Sequence, residues 1–223
     1  MDNTVLDLSG LNPETRLERL TAAFEGMKEG GDLEVVCDAE LSAALRGLQG
    51  SRWGGFDWRP VEKGPVRWRV RLHRGYAGGK TRGIGAFMGE DHEWCDTLFA
   101  AMENAVIAGD MEKARGLFGM FEVGMAHHFD MEEKRFFPAF EQATGMTQGP
   151  TTVMRMEHRQ MLGVIAQMRQ AVDQGDASGV TRGGSTLMVL MRQHNIKEEQ
   201  MLYPMGDMHL GDVQPLLQAM QAV

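Results

Sequence analysis

The chain repeats itself, and the repeat narrows its possible folds more than any other feature. Subtracting 66 from His194, Glu198 and Pro204 of "QHNIKEEQMLYP" gives His128, Glu132 and Pro138 of "HHFDMEEKRFFP". The same offset carries His92 onto His158, Met88 onto Met154, Met102 onto Met168 and Met125 onto Met191. With seven histidines in 223 residues, a random position is histidine about 3 % of the time, so one offset fixing two His, a Glu and a Pro is a true internal repeat. From Ile84 onward apolar residues recur at spacings of three and four, with breaks near Gly109-Asp110, Gly145–Gly149 and Gly175-Asp176. This pattern predicts helices over about 85–108, 111–143, 150–174 and 178–205, with a short tail around 212–222. Short connections make consecutive helices antiparallel, so each copy is a helical hairpin and the two together make an up-down-up-down four-helix bundle.

Each predicted helix carries one histidine of the repeat, and the two His of a hairpin stand 36 residues apart. Residues i and i+4 share a helical face about 6 Å apart along the axis, so His128 with Glu132, and His194 with Glu198, can each present a nitrogen and a carboxylate together. Burying such groups without a cation is costly. Four neutral imidazoles and two carboxylates offer mixed nitrogen and oxygen ligation that suits Fe, Mn or Zn, and carboxylates able to bridge suggest a two-metal site. Thiolate ligation is excluded as the basis of the site, because the only cysteines are Cys37 and Cys95, without CxxC spacing. Most of the 19 methionines fall in these helices, where their ordinary role is core filler.

Ahead of the bundle the pattern changes. "TVLDLSG", "DLEVVCD", "FDWRPVE" and "VRWRVRL" read as strands, and "PETRLERLTAAFEGM" and "ELSAALRGL" as helices, with a turn at Gly64-Pro65. The expected whole is a two-domain α+β chain: a β-α-β-α-β-β sandwich over residues 1–74, a Gly-rich linker over 75–86, and the bundle with its short C-terminal helix over 87–223. In "RWRVRLHR" (67–74), arginines alternate with apolar residues, as in a strand with an arginine-lined solvent face. The formal charge of −8 is concentrated beyond residue 78, where 19 acids face 12 bases. Bulk charge of that sign does not suggest nucleic-acid binding. No apolar run approaches the roughly 18 residues of a membrane span, and "MDNTVLDLSG" lacks the blocks of a signal peptide, so a cytoplasmic protein with no membrane association is expected.

Through His92, "HHFDMEEKRFFP", the His158 of "EHRQM" and "HNIKEEQMLYP", residues 84–208 resemble the hemerythrin-like, HHE-type cation-binding domains, four-helix bundles around a non-haem di-iron centre. The resemblance implies two iron ions, oxo- or hydroxo- and carboxylate-bridged. His92 and His128 would bind one iron, His158 and His194 the other, and Glu132 and Glu198 would bridge. His127 is left out, because its repeat partner is Gln193. Oxygen-carrying members place a further histidine where this chain has Leu162, and an Asp five residues after the last His where this chain has Glu198 at four. Leu162, at i+4 from His158, is expected on the metal side of its helix. The four-His, two-Glu set resembles di-iron proteins of nitrosative-stress defence and iron–sulfur repair, which implies NO or O2 as ligand.

A gas or redox sensor signalling to a protein partner through the N-terminal domain, an iron donor for cluster repair, and an oxygen store are the alternatives. "LDLSGLNPETRLERL" and "GPVRWRVRL" resemble an uncharacterised small α/β domain (DUF2249-type) of sulfur-carrier-like fold. Among lesser features, Cys95 is expected to be a small core residue and Tyr203, opposite Phe137 in the repeat, an aromatic closing the bundle end. His73 and His209 lie outside the repeat.

Overall fold

The structure, a computed structural model, describes residues 4–39, 41, 44, 45, 48, 56–62, 66–74, 83–221 and 223. The chain divides into two compact units, Met1–Thr81 and Arg82–Gln221.

In the first unit four strands, β1 (Thr4–Asp7), β2 (Asp32–Cys37), β3 (Phe56–Glu62) and β4 (Trp68–Arg74), form one sheet in the order β1-β2-β4-β3. β1 runs parallel to β2, while β4 runs antiparallel to both β2 and β3. Helix α1 (Pro13–Gly26) starts with proline in its first turn, and Asn12 caps it by accepting from the Thr15 N–H at 2.9 Å. Its Leu20 and Phe24 pack with Leu33, Val35, Cys37, Val70 and Leu72, the alternate residues of the two central strands. Pro60 is tolerated because β3 is an edge strand, and the pairing shifts register between Pro60 and Glu62. On the other face, Arg69 and Arg71 both approach the buried carboxylate of Glu34. The arginine stripe is thus matched by acid rather than left as a bare cationic patch. Of the second expected helix, Ala44, Leu45 and Leu48 are helical, and the rest of that segment and the Gly64-Pro65 turn lie outside the described residues.

The second unit is the helical bundle. Its helices are α2 (Ile84–Ile107), α3 (Met111–Met131), α4 (Phe137–Thr144), α5 (Pro150–Gln174), α6 (Ala177–Lys197), α7 (Tyr203–His209) and α8 (Gln214–Gln221). Residues 75–82 of the expected linker lie outside the described residues, and Ile84–Ala86 already belong to α2. The two hairpins are α2 with α3 and α5 with α6, and α3 also packs on α5 and α2 on α6, closing a four-helix ring. Both hairpin turns use a left-handed glycine followed by an aspartate cap: Gly109 (φ 76°) with Asp110, and Gly175 (φ 70°) with Asp176. These pairs are themselves 66 residues apart.

The buried residues of α5 are Thr151, Met154, His158, Met161, Ile165, Met168 and Val172, alternating steps of three and four as in a coiled-coil seam. α6 does the same through Val180, Gly184, Leu187, Met191 and His194. The seam steps by three after His158, onto Met161, so Leu162 falls outside it and is 44 % exposed. The expectation that Leu162 faces the metal side was wrong, because the local period is 3.5 residues and i+4 is the next core position only at every second step.

α3 does not simply end where α4 begins. Glu132–Phe136 is one π-helical turn joining them, and Glu198–Leu202 joins α6 to α7 in the same way. The repeated prolines explain both. Pro138 and Pro204 have no N–H, and in a regular α-helix their rings would meet the carbonyl four residues back. A turn widened by one residue relieves that clash, with the Phe137 N–H bonding Glu132 O and the Tyr203 N–H bonding Glu198 O, five residues back. At this end of the bundle Phe136, Phe137, Phe140, Leu202 and Tyr203 pack with Leu217 and Met220 of α8, which forms a plug. The Asp207 carboxylate of α7 holds the start of α2, accepting from the Ile84 N–H at 2.6 Å and the Gly85 N–H at 3.3 Å. No helix among the described residues is long and apolar enough to cross a membrane.

Candidate metal centre

Just beneath the plug the bundle interior turns polar. His92, His128, Glu132, His158, His194 and Glu198 converge there, each at most 5 % exposed. His92 Nε2 lies 3.2 Å from His128 Nε2, and His158 Nε2 lies 3.2 Å from His194 Nε2. Glu198 spans the two pairs, with Oε2 3.3 Å from His92 Nε2 and Oε1 3.1 Å from His194 Nε2. Glu132 presents Oε2 at 3.2 Å to His158 Nε2 and 3.5 Å to His128 Nε2. Two groups of donors result, each with all ligand atoms within 4.8 Å of one another: His158, His194, Glu132 and Glu198 in one, and His92, His128 and Glu198 in the other.

This donor set fits a pair of cations. Metal–imidazole bonds of about 2.1 Å meeting at about 90–100° separate their nitrogens by about 3.0–3.2 Å, the spacing seen in both His pairs. Hydrogen bonding between rings cannot satisfy the set. One proton would answer each ring pair, whereas Glu132 Oε2 and Glu198 Oε1 are buried without a hydrogen-bond partner among the described residues. Charge tells the same story. Burial and the neighbouring Glu198 charge push Glu132 up to about 8. Burial opposes the charged form of Glu198 as well, but the His194 and His92 rings beside it outweigh burial and hold Glu198 well below the usual carboxylate range. Burial disfavours a charged His92, yet Glu198 and Glu199 overcome this and raise it to about 9, while burial holds His158 below its ordinary value. The pocket therefore draws positive charge inward, which a bound metal supplies without protons.

Every ring is steered from behind. The Nδ1 of His92 donates to Glu199 at 2.7 Å, of His128 to Asp91 at 2.9 Å, of His158 to Glu133 at 2.7 Å and of His194 to Glu157 at 2.9 Å. A carboxylate on Nδ1 fixes the tautomer that leaves the Nε2 lone pair facing inward. These four acids obey the repeat, since Asp91 maps onto Glu157 and Glu133 onto Glu199. The 66-residue offset, extended from histidines to acids, would have found them.

Tyr203 packs in the plug, as expected of an aromatic closing the bundle end, but its hydroxyl does more. Its hydroxyl is at the heart of the site, 2.9 Å from Glu132 Oε1, 3.0 Å from Glu198 Oε2 and 3.4 Å from His92 Nε2. Burial and the two carboxylate charges raise its phenol well above the ordinary range. In an α-helix, positions 198 and 203 would face apart. The π turn between them brings both inward.

Cys95 is buried, and its sulfur would be 3.4 Å from a Cβ on Gly124 of α3, so glycine there lets the two helices approach closely. His127 is buried but belongs to neither donor group. His73 pairs with Asp32, and His209 bonds the Met205 carbonyl, both outside the cluster.

Residues 84–206 match the family model described as the hemerythrin HHE cation binding domain, a span containing all six converging residues. Residues 5–74 match that of an uncharacterized conserved protein, DUF2249. No curated protein and no solved structure matches the chain.

Proposed function

The chain belongs to the hemerythrin HHE cation-binding domain family, and from that premise we propose that it is a non-haem di-iron protein that binds or reacts with NO or O2. His92 and His128 hold one iron, His158 and His194 the other, with Glu132 and Glu198 between them. The observation that carries this reading is the sharing of Glu198 by two separate donor groups, one oxygen turned to each. A single-metal site has no use for that arrangement. Iron in such a setting supplies open coordination positions and one-electron chemistry for a small diatomic molecule.

The protein's own residues hold that chemistry in place. Asp91, Glu133, Glu157 and Glu199 orient the rings, the π turns aim Glu132 and Glu198 inward, and the aromatic plug keeps bulk water from the carboxylates. The extra histidine of the oxygen carriers has no counterpart. Leu162 is exposed, and the buried seam position beside it is Met161. Four nitrogens and two carboxylates, of which Glu198 belongs to both donor groups, leave iron positions open, which favours reaction with NO or O2 over reversible oxygen carriage.

Elemental analysis with the visible spectrum of the purified chain tests the first half of the reading, and two irons per chain are expected. Anaerobic titration of the reduced protein with NO, followed in a separate sample by exposure to air, tests the second. Spectral saturation with NO and oxidation by air without a persistent oxygenated form are expected. One metal per chain would overturn the ligand assignment, and repeated reversible cycling with O2 would favour storage instead.

A further inference from the structure

The geometry points to α8 as a clamp coupled to the metal centre: docked, it holds the first π turn in the shape that presents Glu132 to the donor set and Glu133 to His158, and undocking loosens both. This inference rests on the metal-binding half of the proposed function and not on the identity of the gas.

The two π turns obey the repeat, but what covers them does not. α8 packs on the first turn and on α3, with no comparable packing on the second turn among the described residues. Its Leu217 and Met220 join Phe136 and Phe140 in one apolar cluster. Arg135, on the outer side of the same turn, donates through Nε to the Ala219 carbonyl at 3.2 Å. That carbonyl belongs to the last turn of α8, where a helix has unsatisfied acceptors and its negative end. The offset of 66 turns Arg135 into Met201, which is 46 % exposed and has no donor to offer. One π turn is tied down from outside, and its copy is not.

What the clamped turn carries gives the contact its consequence. Glu132 is its first residue and offers Oε2 to His158 Nε2 at 3.2 Å and to His128 Nε2 at 3.5 Å, so it faces a ring from each hairpin. Glu133, the next residue, accepts from His158 Nδ1 at 2.7 Å. A donor and the support of another donor thus stand on one five-residue turn, which ends in the fully buried Phe136. A π turn persists only where the packing around it favours the wider form. Releasing Phe136 from Leu217 and Met220 lets the turn relax and carries both carboxylates off their rings.

α8 is poised rather than locked. Its eight residues make two turns, too short to stay helical alone in water, so it is ordered only while docked. Burial of Val213, Leu217 and Met220 drives docking. Against it, Gln218 Oε1 is buried without a hydrogen-bond partner among the described residues, and a stranded acceptor is destabilising. Gly211, at φ 65°, turns the chain between α7 and α8. Docking and metal binding are linked through the turn, and linkage is reciprocal: the factor by which docking raises metal affinity is the factor by which metal raises docking.

Two measurements on the full chain test the two directions of that linkage. Amide exchange of Gln214–Gln221 in wild type, compared without metal and with Fe(II) under anaerobic conditions, is expected to slow about tenfold on loading, the low end of what supporting contacts around a ligand contribute. Chelator competition for Fe(II) is expected to show Leu217→Glu, which puts a charge on the docking face of α8, binding weaker by the same factor. Arg135→Ala should weaken binding less, Arg135→Lys should restore it, and Met201→Ala, at the repeat-equivalent position, should bind as wild type. Exchange in α8 that ignores metal, or Fe(II) affinity in a folded Leu217→Glu equal to that of wild type, overturns this inference and leaves the di-iron reading standing. Equal losses in Arg135→Ala and Met201→Ala overturn it as well. The wild-type exchange decides the matter even if Leu217→Glu fails to fold. A chain that binds no Fe(II) removes the di-iron reading and this inference with it.

Discussion

Replacing Asp91 by asparagine keeps an oxygen behind His128 and removes the charge. The other three ring-orienting acids allow the same experiment through Glu157→Gln, Glu133→Gln and Glu199→Gln. Loss of such a partner typically lowers metal affinity 10–100-fold, about 1.4–2.7 kcal/mol. The structure orders the series within that range. The four carboxylates are 9 % (Asp91), 24 % (Glu157), 37 % (Glu133) and 47 % (Glu199) exposed, and water screens a charge in proportion to its access.

Hydrogen-bond length gives the opposite order, since Glu133 and Glu199 bond at 2.7 Å and Asp91 and Glu157 at 2.9 Å. A difference of 0.2 Å changes a Coulomb energy by less than a tenth, whereas moving a pair from interior to surface changes it severalfold, so exposure decides. Asp91→Asn is expected near the hundredfold end and Glu199→Gln at or below tenfold, with the other two between. Anaerobic competition for Fe(II) against a chelator of known affinity measures each variant. Equal affinities across the series, or the largest loss at Glu199, would refute the argument that these acids act through unscreened charge.

Glu198→Ala should cost more metal than Glu132→Ala, because Glu198 belongs to both donor groups, whereas loss of Glu132 leaves three donors in each; metal analysis separates the two outcomes, and equal losses would contradict the asymmetry. Leu162→His should leave metal content, visible spectrum and autoxidation rate as in wild type, since the new ring would point to solvent. Asp207→Ala should lower stability by about 1–2 kcal/mol through the two helix N–H groups it strands at the start of α2. Gly83→Ala should also destabilise, because its Cβ would come within 2.7 Å of the Asp207 carboxylate; thermal melts of both variants provide the check.

The helices and the inward histidines were legible because the two signals that report them, the three-four spacing and the 66-residue offset, depend on sequence position alone. What escaped depended on the backbone between those positions. Pro138 and Pro204 were visible as punctuation, but the way a helix absorbs a proline, by widening one turn rather than ending, is settled by the packing on both sides of it. That choice turns the hydroxyl of Tyr203, a plug residue, onto the carboxylates. Its repeat partner Phe137, which has no hydroxyl, made the bland reading natural. Leu162 failed for a related reason: a family position was carried over by counting four residues, where the seam of α5 advances by three. Glu133 and Glu199 each directly follow a converging glutamate and are partly exposed; only the ring opposite each shows what its carboxylate does. Of the small α/β unit, strand order was set by pairings that no local pattern encodes, with β4 inserted between β2 and β3.

The way the rings are supported also bears on how the site comes together in time. Within a hairpin, His128 leans on Asp91 and His194 on Glu157, contacts that form as soon as two adjacent helices zip. His92 and His158 lean on Glu199 and Glu133 of the opposite hairpin. Each hairpin alone can therefore orient one of its two rings, and the second ring is set only by docking. Sub-global opening that parts the hairpins disorders one histidine at each end at once, so neither end of the donor set can come apart while the other stays fully supported. Amide exchange in the two hairpins should accordingly be slowed together by metal, as a single cooperative unit built from two copies of one motif.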